Sequence, residues 1–159
     1  MIAYGITAIG EGAFEEGNLL TKVTLPKTLG RIGRRAFAGC KWLEEVRGAT
    51  CVKCIEAQAF AGCGSLRKVE LSDALQEIGA RAFEHCTALE EILLPEGLEE
   101  IPEKAFYRCH SLRTIRLPST LKKIEKEAFA FCKGLTAYEI PDGVVVEERA
   151  FVGVPGDGE

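Results

Sequence analysis

Seven cysteines and two histidines are the residues of this 159-residue chain best suited to metal binding or nucleophilic chemistry. Cys51 and Cys54 form a C-x-x-C pair, which supplies half of a tetrahedral zinc site. The histidines, His85 and His110, lie at non-equivalent positions of later repeats and do not complete it. We interpret Cys51 and Cys54 as one semi-buried and one exposed thiol, with zinc binding, a disulfide or a redox role as the alternatives.

The other five cysteines recur at one spacing, each three residues after a phenylalanine: Cys40, Cys63, Cys86, Cys109 and Cys132. A free cysteine behaves as a small residue that is frequently buried. Side chains at equivalent positions of stacked repeats point the same way, which is poor geometry for a disulfide. We therefore expect these five thiols to be reduced packing residues.

Catalytic motifs are absent from the sequence. It contains neither G-x-x-x-x-G-K-[ST] nor H-E-x-x-H, and its glycines follow the repeat rather than a phosphate-binding loop. The histidines share no face with a repeated serine or a partnered carboxylate. We predict that the protein is not an enzyme and needs no cofactor and no metal.

Composition sets broad limits on the function. The chain is 47% hydrophobic and 28% charged with a formal net charge of -4, which is typical of one folded domain or a short repeat array. No apolar run approaches the roughly 18 residues of a membrane span, and the opening MIAYGITAIGEG lacks the features of a signal peptide. There is no clustered basic face, so we expect no nucleic-acid partner.

These residues are positioned by an internal repeat. The dipeptide Ala-Phe recurs at intervals of 23 residues, with a last interval of 22, and its phenylalanines are Phe14, Phe37, Phe60, Phe83, Phe106, Phe129 and Phe151. Further apolar columns stand five and eight residues before the phenylalanine, and six, nine and eleven residues after it, with Gly48 as an exception in the last. Each unit reads L-x-x-[VI]-x-L-P-x-x-L-x-x-I-G-x-x-A-F-x-x-C.

This pattern predicts the local structure of each unit. The segment L-x-x-[VI]-x-L alternates like a short strand that a proline ends, and the segment around Ala-Phe-x-x-Cys suits one helical or 3₁₀ turn. A unit of 23 residues has too little apolar mass to fold alone, so successive copies must stack and bury one another.

The repeat resembles the BspA-like leucine-rich repeats, over nearly the whole chain. The resemblance implies an α/β solenoid, a right-handed array of about six coils, with short parallel strands on the concave side and short helical or 3₁₀ turns elsewhere. We expect a single domain over residues 1–154, with repeats at about 6–28, 29–51, 52–74, 75–97, 98–120 and 121–143, a half repeat at 144–154, and a flexible tail at 155–159.

The outward positions of the concave strands carry charges whose sign alternates from copy to copy. One interpretation is a ladder of opposite charges that pair across coils and fix the register. The other is a face that receives a protein partner. The candidate contact residues on this interpretation, together with the single tryptophan, are Trp42, Arg47, Lys68, Glu70, Glu91, Leu93 and Arg116.

We therefore predict a non-enzymatic protein-interaction module. The alternative, taken from the resemblance, is a repeat segment of a larger bacterial cell-surface, adhesin-like protein with a structural or spacer role. The chain shows no evident capping repeat at either end, which indicates truncation or self-association through the uncapped ends. A fragment of a larger protein would be secreted or at the cell surface; a complete chain would be cytoplasmic.

Overall fold

The computed structural model describes residues 1–156, so positions 157–159 of the expected flexible tail lie outside the described residues. Strands and turns make up this part of the chain, and no segment within it is a helix. Accordingly, residues 1–156 include no helix able to cross a membrane. We call the stacked units coils 1 to 6 and the half coil, using the repeat ranges given above.

Five short parallel strands form the first ladder, at the predicted L-x-x-[VI]-x-L segments. They are β2 (Lys22–Thr24), β4 (Glu45–Arg47), β6 (Lys68–Val69), β8 (Glu91–Leu93) and β10 (Thr114–Arg116). Residues 23 apart face each other, as Val23 and Val46 do in β2 and β4. The stacking of repeats in register, predicted from the columns, is confirmed.

A second ladder runs along the isoleucine column and was not predicted from the sequence. Its strands are β1 (Ala8–Ile9), β3 (Arg31–Ile32), β5 (Cys54–Ile55), β7 (Glu77–Ile78), β9 (Glu100–Ile101), β11 (Lys123–Ile124) and β12 (Val145–Val146). All pair in parallel, with Ile9 opposite Ile32 and Ile32 opposite Ile55. The two ladders are separate, and the inward residues of both, such as Val23 and Ile32, belong to one core cluster.

Each ladder is divided once, and the two divisions fall at different coils. The first ladder separates into β2-β4-β6 and β8-β10, between coils 3 and 4; the second separates into β1-β3-β5-β7 and β9-β11-β12, between coils 4 and 5. A proline contributes to the second division. In other coils the residue after the isoleucine donates its N–H to the preceding coil, as Gly79 does to Ile55 at 2.7 Å. Pro102 occupies this position in coil 5 and has no N–H to donate to Ile78.

The core is a set of stacked columns. The phenylalanine rings from Phe14 to Phe151 lie with centroids 5.2 to 5.4 Å apart and nearly parallel planes. The cysteine, leucine and isoleucine columns are buried beside them. Each coil thus shields its neighbour's apolar surface, which is the main favourable term in folding a unit too small to have its own core.

The segments around Ala-Phe, which we call the Phe turns, are not helices. Their N–H groups alternate between two kinds of acceptor. In coil 2, Ala36 donates to Gly33 within the turn, whereas Phe37 donates across to Ala59 of coil 3 at 2.8 Å. This alternation requires left-handed backbone two residues before and after each phenylalanine, as at Arg35 (φ 54°) and Gly39 (φ 71°). The bonds that a helix would use internally instead join neighbouring coils.

The five column cysteines also join neighbouring coils. Each thiol donates a hydrogen bond to the carbonyl oxygen of the phenylalanine 26 residues earlier, at 3.0 to 3.2 Å. The same carbonyl oxygen also accepts the backbone N–H of the residue three positions later in its own coil. The Phe60 carbonyl, for example, accepts the N–H of Cys63 at 3.2 Å. The cysteines therefore pack in the core, as expected, and in addition bond consecutive coils together.

Candidate functional site

Six of the seven candidate contact residues lie on the outward side of the first ladder. The strands there show an exposed–buried–exposed pattern, because the central residue of each points into the core and its neighbours point out. The register places Leu93 opposite Arg116 in the next coil, and Glu45 opposite Lys68. We call this surface the first-ladder face.

A groove crosses the first-ladder face where the ladder is divided between coils 3 and 4. It has a volume of about 540 Å³ and is lined by Arg67, Lys68, Val69, Glu70, Leu71, Glu90, Glu91 and Leu93. Four of these residues were predicted from the sequence. Leu93 is 58% exposed and shares the groove with the partly buried Leu71. The groove therefore combines the apolar side chains of Val69, Leu71 and Leu93 with charged side chains from both coils, which we call its rims.

Leu71 was missed by the sequence reasoning, which assigned its column to the core. The residue that follows Leu71 in the sequence could have indicated that this copy differs from the others. Four copies place a proline there, but coil 3 has Ser72. Its buried hydroxyl donates to the Thr50 carbonyl at 2.8 Å and accepts the Ala74 N–H at 2.9 Å.

Within residues 1–156, the charges of the first-ladder face do not form the cross-coil ion pairs that their alternation would allow. The ion pairs of this face join residues two apart along the chain: Arg47 with Glu45 at 2.7 Å and Lys68 with Glu70 at 3.7 Å. Side chains at i and i+2 share a face of a strand, so these pairs form without help from the next coil. Cross-coil pairs occur on the second ladder and the Phe turns, for example Arg31 with Glu56 at 2.9 Å.

Charges on the neighbouring coils nevertheless affect the pKa of Glu45. Its pKa is lowered, first by the hydrogen bond from Arg47 and further by the positive charges of Arg47, Lys22 and Lys68. Lys22 and Lys68 stand directly opposite Glu45 in coils 1 and 3. Coils 1 to 3 thus have balanced charges on this face, while the two rims of the groove differ. Arg67, Lys68 and Glu70 lie on the coil 3 side, where Lys68 is paired with Glu70 at 3.7 Å, and Glu90 and Glu91 lie on the coil 4 side.

A second groove on the same side of the solenoid involves Arg116. It has a volume of about 780 Å³ and its lining includes Arg116, Leu117, Tyr138, Ile140 and Pro141. Arg116 also helps to lower the pKa of Glu96, although the hydrogen bonds from Ser119 contribute more. The first-ladder face thus contains two concavities, separated by β8 and β10.

Trp42 lies apart from this face, in the turn that precedes β4. It is 61% exposed. The equivalent residue of coil 1 is Leu19, five residues after Phe14, which is 95% exposed. Trp42 and Leu19 therefore occupy equivalent exposed positions of consecutive coils, and Trp42 is not among the residues that line the groove with Leu93.

The C-x-x-C pair matches the expected exposures. Cys51 is exposed and Cys54 partly buried. Burial, together with the neighbouring carboxylates of Glu77 and Glu56, raises the pKa of the Cys54 thiol to about 11, and its sulfur lies 3.7 Å from a Glu77 oxygen. Within residues 1–156 no group of three or more His, Cys, Asp or Glu side chains has the arrangement of a metal site.

Comparison with protein families identifies the repeat. Residues 7–136 match the model of the BspA type leucine-rich repeat region, in six copies. No curated protein is a significant match.

Three similar solved structures are bacterial repeat proteins. A leucine-rich repeat protein of T. pallidum is 30% identical with a TM-score of 0.86, over 89% of this chain and 66% of that one. A leucine-rich cell surface protein of Faecalibacterium prausnitzii is 34% identical with a TM-score of 0.88, over 93% and 40%. A leucine-rich repeat protein of Bacteroides ovatus is 31% identical with a TM-score of 0.87, over 92% and 38%. The chain therefore spans between about two fifths and two thirds of the length of these proteins.

Proposed function

Because the chain belongs to the BspA type leucine-rich repeat family, we propose that it is a non-enzymatic module that binds a protein partner through the first-ladder face. The proposed contact site is the groove between coils 3 and 4. The supporting observation is Leu93, a leucine 58% exposed on the strand next to the division of the first ladder, beside a concavity with charged rims.

The physical argument starts from the cost of exposing Leu93. A leucine side chain left in water forgoes roughly 1.5–3 kcal/mol relative to full burial. At the equivalent positions coils 1, 2 and 5 carry Thr24, Arg47 and Arg116, so the repeat does not require an apolar residue there. Interfaces gain most of their affinity from a few apolar anchors that enter pockets, surrounded by polar contacts that exclude water. Leu93 and Leu71 supply the anchor site, and the rims supply the polar contacts.

The difference in charge between the two rims favours one orientation of the partner, since the coil 3 side carries Arg67 beside the Lys68–Glu70 pair and the coil 4 side is acidic. A segment crossing the groove would place an acidic group near Arg67, an apolar side chain over Leu93, and a basic group near Glu90 and Glu91. Such complementarity contributes more to specificity and association rate than to affinity.

The test is a selection of peptides from a displayed random library against the wild-type chain. Selected peptides are then measured against Leu93→Ser and against the matched control Leu19→Ser, which removes an exposed leucine away from the face. We expect about tenfold or greater loss of affinity for Leu93→Ser, the equivalent of 1.4 kcal/mol, and no change for Leu19→Ser. Equal affinity of all three proteins for every selected peptide would contradict the proposal.

A second role is favoured by one comparison, in which a protein described as a cell surface protein is 34% identical over 93% of this chain. This chain would then be a repeat segment of a larger cell-surface protein. The test is surface labelling of cells that express the full-length gene product with a membrane-impermeant amine reagent. Protection of the lysines of this segment in intact cells, with labelling after lysis, would contradict the second role.

A further inference from the structure

On the Phe turns of coils 4 to 6, outside the first-ladder face, aromatic and cationic side chains form one cluster. It consists of His85, Tyr107, Arg108, His110, Phe131 and Lys133. Tyr107 contacts His85 and Phe131 edge to face, with ring centroids 5.8 and 5.6 Å apart. These rings lie outside the stacked phenylalanine column and are only partly buried.

Arg108 is the centre of this cluster. Its guanidinium carbon lies 5.3 Å from the Tyr107 ring centroid and 5.7 Å from that of Phe131. The rings hold the planar group by cation–π attraction. Within residues 1–156 no carboxylate forms an ion pair with Arg108 or Lys133, whereas Lys104 beside Tyr107 is paired with Glu103 and Glu127. The guanidinium is thus held in place with its N–H donors available.

The local electric field is positive. Lys133 and Arg108 both act on His110 as positive charges. Together with desolvation, which is the larger cause, they lower the pKa of His110. In a chain of net charge -4, this is a localised cationic surface with no recorded anionic partner.

We propose that this cluster is a second binding surface, which takes an acidic segment of a protein partner. A carboxylate would accept two N–H groups of the stacked Arg108, the bidentate geometry for which a guanidinium is suited. The second acidic group would lie near Lys133, and an aromatic or apolar side chain between the two would pack on Tyr107 and Phe131.

The extent of the cluster favours a short acidic segment over a polyanion. Among the six residues of the cluster, all within the described part of the chain, Arg108 and Lys133 are the permanent cations, and neither has an ion pair there, whereas nucleic-acid binding commonly neutralises about 6–10 phosphates. Exposed rings add contact area for a peptide side chain, which a repeating sulfate or phosphate chain would not use.

The experiment measures binding of a fluorescent peptide in which glutamates alternate with tyrosines. A copy of the peptide with glutamine in place of every glutamate is the control for charge. A sulfated oligosaccharide of similar length tests whether the surface binds a polyanion instead. The expected result is binding of the acidic peptide at least tenfold tighter than the glutamine copy, because hydrogen bonds to charged groups contribute about 1.5–3 kcal/mol. Equal affinity of the two peptides, or binding of the oligosaccharide alone, would overturn the proposal.

The variants Arg108→Asn and Lys133→Ser locate the site. Asparagine tolerates the left-handed backbone of residue 108, where φ is 59°. Lys41→Ser is the matched control for Lys133→Ser, since both lysines stand four residues after a column phenylalanine and both are exposed. We expect about a tenfold loss for Arg108→Asn and a smaller loss for Lys133→Ser, with Lys41→Ser unchanged. Equal losses in the two lysine variants would place the peptide elsewhere and refute the proposal.

Discussion

The thiol of Cys86 donates a hydrogen bond to the carbonyl oxygen of Phe60, 26 residues earlier, at 3.2 Å. Four other cysteines repeat this contact along the solenoid. The bond explains why the position holds cysteine and not alanine. A thiol is small enough for the column, tolerates full burial, and still has a donor for a carbonyl of the neighbouring coil.

Cys86→Ala is therefore expected to lower the free energy of unfolding by about 1–2 kcal/mol, through the lost hydrogen bond and the cavity left by the sulfur. Urea denaturation followed by circular dichroism would measure this. The control is Cys51→Ala, whose thiol is exposed and whose loss should change stability by less than about 0.5 kcal/mol. Equal effects of the two substitutions would contradict the role assigned to the column.

Thiol reactivity should separate the cysteines into classes. Cys51 is exposed, Cys54 has a pKa raised to about 11, and burial raises the pKa of Cys63 and Cys86 far above its ordinary value. Because the thiolate is the reactive form, iodoacetamide at pH 8 should modify Cys51 first, Cys54 slowly, and the five column cysteines only after unfolding. Mass spectrometry of peptides from the native protein checks the order. Modification of the column at the rate of Cys51 would show that the coils are not packed as described.

The left-handed positions of the Phe turns should accept glycine with little loss of stability. Gln58 has φ of 58°. We expect Gln58→Gly to keep the free energy of unfolding within about 1 kcal/mol, because glycine adopts this conformation without a steric penalty. Gln58→Val should lower it by about 1–2 kcal/mol, since a β-branched residue is strained there. Urea titration of both variants tests the order, and a valine variant as stable as the glycine variant would contradict the backbone assignment.

His110 should make stability depend on pH near neutrality. Its folded-state pKa lies below the ordinary 6.5, so the unfolded chain binds the proton more tightly. The contribution of His110 to stability is thus complete above pH 6.5 and is lost as the pH falls through the folded pKa. His110→Gln should reduce the loss of stability between about pH 7.5 and 5.5, as measured by urea midpoints. Glu45, Glu96 and Glu147 have lowered pKa values, so their contribution to stability is lost at more acidic pH than that of His110. A wild-type slope retained in His110→Gln would contradict this assignment.

Restoring an N–H at position 102 should extend the second ladder. Pro102→Glu places there the residue found at the equivalent Glu56 and Glu125, which donate to Ile32 and Ile101, each at 2.9 Å. The new amide should bond to Ile78 and become protected from hydrogen exchange, as measured by NMR. Exchange of the residue 102 amide at the rate of an exposed loop would show that another cause separates coils 4 and 5.

The sequence was sufficient to predict the elements that depend on the repeat itself. The phenylalanine and cysteine columns, the first-ladder strands and their register follow from residues that recur at 23-residue intervals. The second ladder was missed because each of its strands is only two residues long, too short for alternation to be visible. Pro102 could have indicated an interruption between coils 4 and 5, since it replaces the glycine or glutamate of the other copies.

The candidate site was only partly predictable. Strand alternation placed Arg47, Lys68 and Leu93 on one outward face, as the structure has them. The groove depends on the division of the first ladder between coils 3 and 4, a relation between coils that one repeat unit does not reveal. Of the two interpretations of this face, the ladder of paired charges is met only in part: Lys22 and Lys68 act on Glu45 across coils, while the ion pair of Lys68 is with Glu70, two residues along the chain.

The central claim, that a protein partner contacts the groove between coils 3 and 4, is tested most directly by photo-crosslinking. A benzophenone amino acid replaces Leu93 in one protein and Leu19 in another, and each is irradiated with the peptide selected against the wild-type chain. We predict a crosslink from position 93 and none from position 19. Crosslinking from position 19 alone, or equally from both, would contradict the claim.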